Sequence, residues 1–457
     1  MKTIKHSIAL AIISSLVFDW TISAAENTKP NIVYIVVDEL GYYQPGFMGN
    51  TVIKTPNLDR LAKDGIVFKN MLAGNPTCAP ARCSLLTGKH SGHATIRSNG
   101  EDSIRAEEVT IAEVLKPAGY ATGGFGKWGI GGRGSEGVPE KNGFDLFFGY
   151  YNQAHAHGYY PPYLIRNSVE VPQAGNHGGA KGQTYSAYVI HDEAKKWIRE
   201  HAKEPFFAYL PYTLPHGPFA IPNNDPSLDV YEGKNLAKSE LLCAAMTTLL
   251  DTQVGEIVAL LKELGLEKNS LIFISGDNGK SGLFGGNKDP HSDLEFRGDK
   301  ADLYEGGLRV PFLAYWPGTI PGGQTSDLLC YFPDMMATIA DATGTKVPSD
   351  TDGLSILPTL IGEKAAGHPQ AQHDYLYWEH KGWVAVQQNN WSLVKPSKSK
   401  IPELYNLADD PGQKKDLAAK NPEMLKTLMA LAEKAHGPQR QGVFTTQELD
   451  ARDKRAK

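Results

Sequence analysis

Residues 31–39 read Asn-Ile-Val-Tyr-Ile-Val-Val-Asp-Glu, a β-branched run that ends in two acids. An apolar run of that length, without polar alternation, is the pattern of a strand buried on both faces, as in a parallel sheet. Two further stretches repeat the design. Leu271 to Ser275 (LIFIS) is followed by Asp277-Asn278-Gly279, and Phe206 to Leu210 (FFAYL) by Thr213-Leu214-Pro215-His216. Between them, Ser239 to Leu264 carries an apolar face (Leu242, Leu249, Ile257 and Leu261 among others), with Ser239 as N-cap and Gly265 as stop. Strands alternating with helices predict an α/β fold, a large, mixed but mostly parallel sheet sandwiched by helices. Ligands of such sheets bind beyond the carboxyl ends of the strands, where these polar clusters lie.

The character changes after Gly362. Tyr375 to Glu379, Trp383 to Gln387 and Trp391 to Val394 are short, aromatic and separated by turn residues, the pattern of an antiparallel meander. A helix is predicted over Asn421 to Lys434 and a disordered polar tail after Gly437. The expected organisation is a catalytic domain over 26–362 and a smaller C-terminal α+β subdomain over 363–457. At the other end, Lys2 and Lys5, the apolar run Ile8 to Phe18 and Ser23-Ala24-Ala25 make a secretory signal pattern over 1–25. The protein is therefore expected to be periplasmic or secreted. No later stretch reads as transmembrane, so no stable membrane insertion is expected.

The 457 residues carry 46 Lys and Arg against 51 Asp and Glu, a net charge of −5 that excludes a polybasic nucleic-acid binder. Hydrophobic content of 41% is enough for a large core, and four cysteines are too few for a disulfide scaffold. They leave room for one disulfide in an oxidising compartment.

The chemistry concentrates at residues 78–88, Cys-Ala-Pro-Ala-Arg-Cys-Ser-Leu-Leu-Thr-Gly. Pro80 suits a first helical turn, which puts Cys78 at a helix N-terminus, where free N–H groups favour an anion. Arg82, one turn on, faces the same point. A nucleophile position beside a guanidinium points to chemistry on an anionic group. A buried structural Cys is the bland alternative.

This stretch resembles the signature of the type I sulfatases of the alkaline-phosphatase superfamily, Cys-x-Pro-x-Arg followed by Leu-x-Thr-Gly. The chain is similar to arylsulfatases and N-acetylgalactosamine-6-sulfatases over nearly its whole length. The resemblance implies that a formylglycine-generating or sulfatase-maturating enzyme oxidises Cys78 to formylglycine. It implies a metal site at Asp38, Glu39, Asp277 and Asn278 together with residue 78, whose hard oxygen ligands suit Ca²⁺ or Mg²⁺. Glu39 departs from the family, which more often has Asp there. Lys127, in Gly126-Lys127-Trp128-Gly129, and Lys300 match the two lysines that contact sulfate, and His216 matches the family's Pro-His-x-Pro histidine. Taken singly, each cluster reads as a turn, a helix start or a surface charge; together and in family order they read as a catalytic set.

Gly129 is a second departure, because many relatives carry His there. His155 and His157, in the loop Tyr151 to Tyr163, are candidate substitutes that would contact substrate. His380, in Trp378-Glu379-His380, is a candidate for the sugar rim, with Tyr159 and Tyr160. The implied reaction is hydrolysis of a sulfate ester on a glycan, with galactose or N-acetylgalactosamine favoured. A broad arylsulfatase, a phosphodiester or phosphonate hydrolase, and a glycan-binding pseudo-enzyme with unmodified Cys78 are the alternatives.

Overall fold

The computed structural model describes residues 29–100, 102–279, 283–397, 401–439 and 447–457. The expected signal segment lies outside them. Sixteen strands occur among these residues: β1 (Asn31–Val37), β2 (Ile66–Phe68), β3 (Met71–Leu72), β4 (Ala121–Lys127), β5 (Leu146–Tyr150), β6 (Tyr163–Arg166), β7 (Val169–Pro172), β8 (Phe206–Tyr212), β9 (Ser270–Gly276), β10 (Phe312–Tyr315), β11 (Gln324–Ser326), β12 (Cys330–Tyr331), β13 (Leu376–His380), β14 (Trp383–Gln388), β15 (Trp391–Lys395) and β16 (Glu403–Asn406).

Ten strands form one sheet in the order β11-β2-β10-β9-β1-β8-β4-β5-β6-β7. Its centre, β9-β1-β8-β4-β5, is parallel, and β10, β6 and β7 add antiparallel pairings. The continuous apolar run of β1 is explained by its place at that centre. Ile32, Tyr34 and Val36 enter one core with the helices Cys78–Thr87 and Asp334–Thr343. Val33, Ile35 and Val37 enter another with the helices Pro56–Asp64, Ser186–Glu200 and Lys238–Glu263. Each fully buried aliphatic side chain adds about 1.5–3 kcal/mol relative to exposure. The helix Lys238–Glu263 is long and apolar enough to cross a membrane by length and composition, yet most of its apolar window is buried in this core. The four cysteines are free and buried, so the room for a disulfide is not used.

The smaller sheet runs β13-β14-β15-β16, all antiparallel, with the helix Pro422–Ala435 packed on it. Trp378 is buried where this sheet meets the two-stranded pair β12-β3, packed with Leu72 and Tyr331, its indole N–H donating to the Ala73 carbonyl at 2.8 Å. The expected disordered tail contains a helix instead, Gln447–Arg455. It packs beside β6 and the loop after β4, where Asp453 is bonded by Arg133 at 2.6 and 2.9 Å and by Tyr163 at 2.9 Å. Sequence polarity concealed this, because the face that docks is acidic rather than apolar.

Register aligns the strand ends. Val37 lies opposite Gly276 on β9 and Tyr212 on β8. Asp38, Asp277 and Thr213 therefore leave the sheet at one level. On β4, Gly126 has φ of +139°, and a Cβ there would collide with the Pro211 carbonyl of β8. Gly126→Ala is expected to lower Tm and turnover together, with roughly 1–3 kcal/mol from backbone strain alone, because it displaces Lys127. A wild-type melting curve and turnover would contradict this packing.

Candidate active site

Cys78 opens a helix, Cys78–Thr87, in which every residue is buried. The Ala79 amide is capped by Asn99 Oδ1 at 2.9 Å, a partner 20 residues on that the sequence reading did not identify. Burial pushes the Cys78 thiol up to about 11. At neutral pH it is a thiol, a poor nucleophile as it stands.

Four loops beyond the strand ends converge on it. Asp38 Oδ2 accepts from Lys127 Nζ at 2.7 Å. Asp277 Oδ1 accepts from the Glu39 amide at 3.0 Å, and its Oδ2 from Arg82 Nε and Nη2 at 3.2 and 2.8 Å. Arg82 Nη1 donates to the Lys127 carbonyl at 2.7 Å. Arg82 is fully buried, so it braces Asp277 and the end of β4 instead of facing the anion as the sequence predicts. Lys300 Nζ donates to Glu39 Oε1 and, at 3.3 Å, to Cys78 Sγ. His216 Nε2 lies 3.0 Å from Glu39 Oε1. One ligand atom each of Asp38, Cys78 and His216 lies within 4.8 Å of the others.

Charge explains the titration of the pair of acids. Burial opposes ionisation of Asp38, but Lys127, His216, Arg82 and Lys300 outweigh it and hold the carboxyl well below the usual range. Asp277 is raised, first by burial and then by the charge of Asp38. Lys300 is raised: burial opposes its charge, and Cys78, Glu39, Asp38 and Asp277 more than compensate.

A divalent cation fits these residues. Asp38 Oδ1 and Asn278 Oδ1 are buried oxygens without a hydrogen-bond partner, next to the Asp277 carboxylate. Orphaned buried acceptors are costly, and oxygen donors select hard ions. Asp38, Asp277 and Asn278 would hold the ion. Glu39, also predicted as a ligand, has its Oε1 engaged by Lys300 and His216.

The three further histidines separate. His157 joins the site, its ring stacked on His216 with centroids 4.3 Å apart and planes at 15°. His155 does not. It is fully buried, Nε2 is bonded to the Tyr163 carbonyl at 3.0 Å, and its ring packs between Tyr150 and Tyr163. His380 is also buried, on β13, with Nδ1 3.2 Å from the Arg97 carbonyl, beside a separate cavity of about 320 Å³ lined by Arg97, Lys381 and Trp383. His155 therefore does not reach the cluster as predicted, and His380, predicted on the sugar rim, is buried on β13 beside that separate cavity. Tyr159 and Tyr160 are buried rather than on a rim; Tyr159 donates to the carbonyls of Thr213 and His216 at 2.9 and 2.8 Å and so fixes the His216 loop. At Gly129, with φ of +80°, a side chain would run into the Gln153 amide. Gln153 thus takes the space there, a residue the sequence reading passed over.

A family described as Sulfatase matches residues 30–345, and one described as N-sulphoglucosamine sulphohydrolase, C-terminal, matches residues 296–441. The chain belongs to the sulfatase family. This sulfatase is 32% identical over 371 residues to N-acetylgalactosamine-6-sulfatase of Rattus norvegicus, covering 74% of this chain and 67% of that protein. It is 28% identical to N-acetylgalactosamine-6-O-sulfatase of Bacteroides thetaiotaomicron, covering 89% and 93%. Among solved structures it is similar to Ps i-CgsB in complex with k-i-k-neocarrahexaose, at 26% identity, coverage of 93% and 96%, and a TM-score of 0.78.

Two outcomes follow from this geometry. Arg82→Ala leaves Asp277 buried without its partner, and a loss of roughly 3–5 kcal/mol is expected in urea unfolding. His155 is lowered from 6.5 to about 4 by burial, so the unfolded chain takes up its proton first as pH falls. Its effect is absent above pH 6.5 and destabilises the protein as pH drops from 6.5 toward 4. His155→Gln is expected to reduce the pH dependence of the urea midpoint in that window; an unchanged slope would contradict a buried neutral imidazole.

Proposed function

We propose that this sulfatase removes sulfate from a galactose- or N-acetylgalactosamine-type unit of a sulfated glycan, outside the cytoplasm, with formylglycine formed from Cys78 and with Ca²⁺ or Mg²⁺ bound by Asp38, Asp277 and Asn278. The observation that carries the reading is the set of cations around Cys78, with Lys300 on its Sγ, Lys127 on Asp38 and Arg82 on Asp277, beside orphaned buried oxygens of Asp38 and Asn278. The names of the relatives support the sugar, and the N-terminal signal pattern supports the location.

Formation of formylglycine removes sulfur from the Cys78 side chain as hydrogen sulfide. The carbon takes its oxygen from water and gives up two electrons and two protons to the oxidant of a maturating enzyme. Hydrated formylglycine supplies two hydroxyls on one carbon, one to attack sulfur and one to drive the release of sulfate. The dication supplies net positive charge, since Asp38, Glu39 and Asp277 otherwise balance Arg82, Lys127 and Lys300.

The chain's own residues do the rest. Lys300, beside the Cys78 side chain and partly open to solvent, meets the incoming anion. Lys127 fixes Asp38, and Arg82 fixes Asp277. A sugar alkoxide is a poor leaving group, so it needs a proton as it departs. His216, held through Nε2 against Glu39 Oε1 and with Nδ1 left without a partner, is the proton donor.

The test is the mass of the Cys78 peptide from protein made in its native host. A lighter peptide bearing a hydrazide-reactive aldehyde is expected, together with release of sulfate from N-acetylgalactosamine 6-sulfate in preference to phosphate from the matching phosphate ester. An intact thiol at Cys78 would overturn the reading. Chelation is expected to abolish turnover, and Ca²⁺ or Mg²⁺ to restore it; activity unaffected by thorough chelation would remove the metal from the account.

A further inference from the structure

The helix Gln447–Arg455 has almost no apolar side chain to dock with, yet Asp450 and Asp453 are 2% and 0% exposed. Three residues apart, they share one helix face. Buried ion pairs add little net stability after desolvation, so a segment anchored by them gains position more than free energy. What they position is visible.

Asp450 Oδ1 accepts from Asn152 Nδ2 at 2.5 Å, which fixes the orientation of that amide. Asn152 Oδ1 is then turned to cap the following turn, accepting from the Ala154 and His155 amides at 2.7 and 3.4 Å. Asp453 accepts from Arg133 and, at 2.9 Å, from Tyr163 Oη. Tyr163 in turn holds His155 through its carbonyl and its ring. Both acids therefore grip the short helical turn His155–His157, one from its start and one through His155. That turn presents His157 to stack on His216, whose Nε2 faces Glu39. The Gly179 amide donates to the Lys457 carbonyl at 3.0 Å, a further clamp beyond the helix.

We propose that Asp450 and Asp453 are positioning residues for the proton-donating histidine. The C-terminal helix holds the His157 ring, and that ring sets the plane of His216 against the departing sugar oxygen. The inference rests on the reading of His216 as proton donor. A displacement of this kind weakens proton delivery and leaves attack at sulfur intact. The effect therefore scales with how much the leaving oxygen needs a proton.

The experiment compares N-acetylgalactosamine 6-sulfate with 4-nitrophenyl sulfate, whose phenolate leaves unaided. The matured full-length enzyme and its Asp450→Ala and Asp453→Ala variants are used, with Arg455→Ala as control on the same helix. Sugar turnover is expected to fall on the order of 10- to 100-fold in both aspartate variants, with kcat falling more than KM changes, while aryl turnover stays within about threefold. Arg455→Ala should match wild type on both substrates. His157→Ala reaches the same stack without touching the C-terminal helix and should reproduce the leaving-group dependence even if an aspartate variant folds poorly. Equal loss on both substrates in Asp450→Ala, Asp453→Ala and His157→Ala, or full sugar turnover in Asp450→Ala and Asp453→Ala, would overturn the proposal. Wild-type enzyme inactive on both esters with Cys78 converted would instead remove the sulfatase reading beneath it.

Discussion

Two carboxylates, Asp38 and Asp277, leave neighbouring parallel strands at the same level and are buried side by side, so each raises the energy of the other's charge. The surrounding structure compensates for that repulsion. Arg82 can reach Asp277 because Cys78 starts the helix that carries it, and Lys127 can reach Asp38 because β4 ends two strands away from β1. Arg82 also holds the Lys127 carbonyl, which ties the two cations into one brace. Residue 78 is thereby fixed at the point where the brace, the acids and Lys300 meet.

The same constraint accounts for the outer layer. Glu39 has φ of +61°, a left-handed turn immediately after Asp38 that sends its backbone N–H to Asp277 and its carboxylate outward. There it meets Lys300 and His216, which come from opposite sides of the sheet order, one from the loop before β10 and one from the loop after β8. The Ala301 amide donates to the Pro76 carbonyl at 2.9 Å, so the Lys300 loop is tied to the chain just before Cys78. The inner acids thus anchor the brace around residue 78, and the outer acid joins Lys300 and His216.

Much of this was legible in the sequence, and the exceptions have causes. β1, β8 and β9 announced themselves because strands buried on both faces need continuous apolar runs. β4 did not, because Ala121–Lys127 reads ATGGFGK and glycine is depleted in strands. Its glycines let other groups approach, as a Cβ at 123 would meet Trp197 and one at 124 would meet Phe147. The site residues of the signature and of the strand ends were readable as motifs. The direction each side chain takes was not: Arg82 turns inward to Asp277, and Glu39 turns to Lys300 and His216. His155 and His157 are two residues apart in one loop, and nothing local distinguishes the core imidazole from the one stacked on His216. The docked helix Gln447–Arg455 escaped because its partners, Arg133 and Asn152, lie some 300 residues away in sequence.

In the proposed reaction an oxygen held at position 78 attacks sulfur, and the sugar departs as the alcohol. Hydrolysis of a sugar sulfate in ¹⁸O-labelled water, with the label located by mass spectrometry of both products, tests it most directly. The label is expected in the released sulfate, with the original oxygen retained on the sugar. Label in the sugar hydroxyl would mean cleavage between carbon and oxygen, and would contradict it.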